Sequence, residues 1–211
     1  MVQPTPFDRL LQEVSQQAAR DPLGAFARLD ELHGKSLTAD DVVRLGALAV
    51  HLGAAGLGRW QETALFQHRL LEHPGVAADE GARRSLFRGL AVVMRCAGDS
   101  AAADKAIAKG ATTQSEQCRL AVMSAQTLAA RGRFADCLPY LRETTELLNG
   151  LPAGDEVVAH CASIAANLAR LAEGQLRLGQ DLVGAATGAL VAASIVQGDW
   201  RRHHRALYQR G

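Results

Sequence analysis

Aromatic side chains are scarce in this sequence, at 4 % of 211 residues. The core therefore rests on alanine and leucine, two strong helix formers. Valine and isoleucine are too sparse to supply several strands, which leaves an all-α class. No sign of charge is in excess: 23 basic and 22 acidic side chains leave a net charge of +1. That balance argues against a dedicated nucleic-acid binder or a membrane-surface protein. No CxxC or CxH spacing surrounds Cys96, Cys118, Cys137 or Cys161, so no zinc site and no cofactor are expected. Each cysteine lies in an apolar helical stretch, where a thiol acts as a small hydrophobe. Free buried thiols suit a reducing compartment. No basic region followed by a long apolar run opens the chain, and no run of about 18 uncharged apolar residues occurs. The cytoplasm is the expected location. No HExxH, GxSxG or phosphate-cradling glycine loop is present, so no enzyme is expected.

Hydrophobic residues reach 48 %, enough for a continuous core. Arginine outnumbers lysine, which reads as the codon bias of a GC-rich bacterial genome. Punctuation by glycine and proline is regular. A first helix is predicted from about Thr5 to Ala19, capped by Thr5, with Phe7, Leu10, Leu11 and Val14 on one face. Asp21 and Pro22 start a second, with Leu23, Phe26, Ala27 and Leu29 inward, ending at His33-Gly34. Later reversals are predicted at Gly58, Gly98, Gly132 and Gly179, with a further one at Gly198. The first four fall 40, 34 and 47 residues apart, the range of helical solenoids.

Aligning the segments on the turn glycine tests the repeat. Seven residues before it stand His51, Ala91, Ala125 and Ala172; three of the four are small, as close helix crossing requires. Four before stand Ala54, Met94, Leu128 and Gln175. Five after stand Thr63, Ala103, Cys137 and Gly184. Nine after stand Gln67, Ile107, Leu141 and Gly188, a poorer match. The segment Ala121 to Leu148 carries Ala125, Leu128, Gly132, Phe134, Cys137, Tyr140 and Leu141. In that order and spacing it resembles the tetratricopeptide repeat family. The segment HLGAAGLGRWQETALFQHRLLEHP is similar, with Thr63 where the family has alanine and Pro74 where it often has proline. The Gly98 and Gly179 repeats lack the aromatic.

The resemblance covers roughly Asp40 to Gly211. It implies a right-handed α-solenoid of antiparallel helix pairs, about ten to eleven helices, as a single domain over 1–211. Residues 1–37 would form a divergent helix pair and 38–211 the repeat pairs. A non-repeat helical bundle is the other arrangement open to such a sequence. In the family, the first helix of each pair lines a concave groove. Carried over by offset from the turn glycines, the groove would contain Leu45, Leu52, Ser85, Arg88, Arg95, Arg119, Gln126, Glu173 and Arg177.

The implied function is that of a non-enzymatic adaptor holding a partner protein or peptide. The arginines at 88, 95 and 119 would suit a partner with carboxylate or other acidic groups. The alternative is a helical regulatory domain that senses a ligand and controls an associated effector or transcription factor. Self-association is a further expectation. The acidic pairs Asp40-Asp41, Asp79-Glu80 and Asp155-Glu156 sit at predicted helix starts, where they complement the helix dipole. His160 and Cys161 are sequence neighbours, about 100° apart on a helix, so they do not face each other. The basic segment from Trp200 to Arg210 reads as a terminal helix burying Trp200, His204, Leu207 and Tyr208. A nucleic-acid patch there is the weaker reading.

Overall fold

The computed structural model describes residues 5–35, 37–152 and 154–176. Arg177, the predicted turns at Gly179 and Gly198, and the basic segment from Trp200 lie outside them. The described residues are helical, with no strand among them: α1 (Pro6–Ala18), α2 (Pro22–His33), α3 (Ala39–Ala49) continued by a π-helical segment (Val50–Leu57), α4 (Trp60–Leu71), α5 (Pro74–Ala77), α6 (Glu80–Ala97), α7 (Ser100–Gly110), α8 (Gln114–Ala130), α9 (Phe134–Gly150) and α10 (Glu156–Leu176). The chain divides into two compact units, 1–110 and 111–211.

Local chemistry sets the helix ends. Thr5, Thr38 and Thr113 each accept from the backbone N–H three residues on. Asp8, Asp41 and Glu116 return the bond to the cap N–H, so two orphan donors are satisfied at each start. Asp79 caps α6 through Ala82 N–H at 3.0 Å. At the other ends, Gly58, Gly98 and Gly132 take φ of 69°, 84° and 69°. Each lets the next residue reach back to a carbonyl of the last turn: Arg59 to Gly53, Asp99 to Met94 and Arg133 to Leu128. This left-handed reversal costs a glycine little and any other L-residue about 1–2 kcal/mol.

The first unit packs α1 against α2, α3 against α4 and α6, and α6 against α7. Val14, Leu29, Val42, Leu45 and Leu70 are at or near zero exposure in its core. The second unit packs α8 against α9, with α10 on both. Its core joins Cys118, Val122, Leu148, Val158, Cys161 and Ala162.

The positions aligned on the turn glycines are buried at most places. Ala91, Ala125 and Ala54 are fully buried, Leu128 nearly so, and Ala103 and Cys137 are buried. Gln67, the apparent mismatch, is fully buried, as is Leu141 at the aligned position. His51 is exposed. It lies in the π segment, whose i→i+5 bonding breaks the rule that seven residues make two turns. Leu52 and Val50 are buried there instead.

Helix α2 is rotated from its predicted facing. Ala25, Leu29 and Leu32 are its buried residues. Leu23 is 52 % exposed. Ala27 is exposed as well, and Phe26 is half-buried. The spacing of Leu23, Phe26, Ala27 and Leu29 does not separate two adjacent apolar stripes, and the stripe through Ala25, Leu29 and Leu32 took the core.

Candidate interaction cleft

The exposed stripe of α2 faces a second one on α4. Leu65 is 65 % exposed, while its neighbours Ala64 and Phe66 are buried. Three consecutive apolar residues on a helix spread over about 200° and cannot all face one core. Leu65 is the one left outside. Between the helices lies a cleft of about 640 Å³. Leu23, Phe26, Ala27, Leu65 and Phe66 supply its apolar surface. Its size falls within the range of natural binding sites.

Glycine shapes the floor. Gly53 in the π segment has no Cβ, and one placed there would stand 2.4 Å from Phe26 Cε2 and 2.2 Å from Thr63 Oγ1. Phe26 is therefore seated directly on backbone. Thr63, fully buried, satisfies its hydroxyl on the Arg59 carbonyl at 2.7 Å. That bond explains how threonine replaces the expected alanine.

The rim is charged but internally matched. Arg69 bonds Asp30 at 2.5 Å, tying α4 to α2, and its guanidinium lies 5.3 Å from the Phe66 ring centroid. Arg59 meets Glu62 at 3.7 Å. Glu72 and His68 complete the rim.

The residues proposed from the repeat offsets fall elsewhere. Leu45 and Leu52 are core residues of the first unit. Ser85, Arg88 and Arg95 lie half-buried on α6. The Arg88 guanidinium donates to the Gly110 carbonyl at 3.2 Å and to Ser85 Oγ at 2.8 Å. It thus caps the C-terminus of α7, whose Gly110 presses so close that a Cβ would stand 2.7 Å from Arg88 N. In the second unit, Arg119 and Gln126 are exposed on α8 with Met123, 41 % exposed, between them. Glu173 is half-buried on α10.

The thiols and carboxylates fall into place as follows. All four cysteines are buried, and none is in a disulfide. Cys137 donates to the Phe134 carbonyl at 2.9 Å, and burial pushes its thiol up to about 11. His160 is exposed beside buried Cys161. Among the described residues, no group of three or more His, Cys, Asp or Glu could hold a metal ion. No helix among them is long and apolar enough to cross a membrane. Comparison with family models, with curated proteins and with solved structures finds no match.

Proposed function

We propose that this protein is a protein-interaction module, and that the α2–α4 cleft receives an apolar helix of a partner protein. The exposure of Leu23 and Leu65 beside Phe26 carries this reading. A small ligand would leave both leucines partly wet. A partner helix laid along the two cleft helices would cover them, as helix-in-groove recognition does. Because the rim arginines already hold Asp30 and Glu62, apolar burial supplies the affinity, and binding is weakly dependent on salt. Arg88 and Arg95 on α6 taking an acidic partner are the competing site, and binding there would depend strongly on salt. We further propose that the helix pairs follow a right-handed tetratricopeptide-like arrangement, as the resemblance of the aligned segments implies.

The test places a photo-crosslinking residue at position 65 in the cell of origin and identifies the captured protein. That protein is then titrated against the Leu23→Glu/Leu65→Glu double variant and against Arg88→Glu/Arg95→Glu. Loss of binding of at least tenfold in the leucine pair alone, unchanged between about 50 and 200 mM salt, is the expected result. Loss in the arginine pair alone sinks the cleft and supports the acidic-partner site on α6. Capture of the chain by itself, with a matching dimer in sedimentation, makes the partner a second copy.

A further inference from the structure

We propose that Cys118 and Cys161 are a redox modification site, closing a reversible disulfide between α8 and α10 at the expense of a hydroperoxide. The two thiols come from distant parts of the sequence and share one buried cluster. Neither has any exposed surface. Helices α8 and α10 pack together, and near their starts Ser115 Oγ donates to Asp155 Oδ2 at 3.0 Å. Cys118 follows Ser115 within one helical turn, and Cys161 follows Asp155 within two. The two side chains are packed in that one cluster, and each shifts the ionisation of the other. Packing alone asks only for small apolar side chains at these places, which alanine would satisfy as it does at Ala159 and Ala162. A mutual thiol pair adds chemistry that Cys137, bonded to a carbonyl, does not have.

The pair is also polarised. Beside Cys161, the Cys118 thiol holds its proton above the usual thiol range, while Cys161 ionises below it. Arg119, next to Cys118 in sequence, adds positive potential at Cys161. Cys161 is therefore the attacking sulfur. Its thiolate attacks the terminal oxygen of the hydroperoxide; an S–O bond forms, the O–O bond breaks, and the leaving alkoxide takes up a proton as alcohol. Cys118 sulfur then displaces the hydroxyl from the Cys161 sulfenic acid; the S–S bond forms, the S–O bond breaks, and water leaves with the Cys118 proton. Two thiols lose two electrons and two protons, and the hydroperoxide becomes alcohol and water. Burial makes entry of the oxidant depend on local opening of the helices, so hydrogen peroxide reacts faster than a bulky organic hydroperoxide.

The test uses the full reduced chain under native conditions. After hydrogen peroxide, thiols are alkylated in denaturant and counted by intact mass. Two of the four thiols are expected to be lost, with one peptide joining positions 118 and 161 and full recovery in dithiothreitol. Cys118→Ser should halt the reaction at a Cys161 sulfenic acid that dimedone traps. Arg119→Gln should slow disulfide formation several-fold, and Cys96→Ser/Cys137→Ser should leave it intact. Four alkylated thiols after peroxide, a linkage through Cys96 or Cys137, or irreversible oxidation of Cys161 without a link would overturn the proposal. The wild-type count decides even if a variant fails to fold.

Discussion

Gln67 is a buried polar side chain with only part of its hydrogen bonding met. It is fully buried, its Nε2 donates to the Gly46 carbonyl at 2.7 Å, and its Oε1 has no partner among the described residues. Gln67→Leu removes one hydrogen bond together with one unsatisfied acceptor, so stability should change by no more than about 1 kcal/mol. Gln67→Glu buries a carboxylate, whose folded-state pKa rises above its unfolded value near 4.3. The sign follows: below about pH 4 the group is neutral in both states and the cost is small, and as pH rises the folded state is penalised. The loss should reach about 3 kcal/mol or more at pH 7. Thermal melts at pH 4 and pH 7 check this; equal losses at both would contradict it. Gly98 and Gly132 are simpler, since a Cβ at either would meet nothing within 4 Å. Alanine at either should cost about 1–2 kcal/mol through positive φ alone, and asparagine less.

At the element scale, the cleft depends on the π segment. Gly53→Ala should drive Phe26 off the backbone, destabilise by about 1–3 kcal/mol and weaken partner binding together. Urea melts and a partner titration measure the two. A loss of stability with binding unchanged would mean that Phe26 does not form the receiving surface. Helix α1 is held to α3 by an ion pair between Arg44 and Asp8. The Thr5 N–H, then Arg44, hold the Asp8 carboxyl below its usual range. Stability from a lowered carboxyl is present above its unfolded pKa, near 3.9, and is lost as pH falls through the folded one. Asp8→Asn should therefore lower the melting temperature at neutral pH. Its difference from the wild type should shrink to nothing in acid.

At the scale of the whole molecule, each unit carries its own core. Hydrogen exchange can then read the two sites separately. Oxidation of Cys118 with Cys161 should slow exchange in α8 and α10, because a cross-link of this loop length stabilises by about 4 kcal/mol in the chain-entropy account. Gln67→Glu should speed exchange in α3, α4 and α6. Slower exchange in α1–α7 on oxidation would place the cross-link elsewhere.

Much of this was open to reading along the chain. Threonine three residues before an acidic residue marks a helix start at Thr5, Thr38 and Thr113. Glycine after an apolar run marks a reversal at Gly58, Gly98 and Gly132. These are local effects, settled within one helical turn. The all-α class follows from composition for the same reason, since alanine and leucine favour helix wherever they stand. Which apolar stripe of α2 meets the core, which of Ala64, Leu65 and Phe66 stays outside, and which two of four cysteines meet are decided by other helices. Each depends on contacts between residues far apart in sequence, whose pairing no local spacing encodes. The cleft and the thiol pair both arise there, where tertiary packing chose one of several faces that the sequence left equivalent.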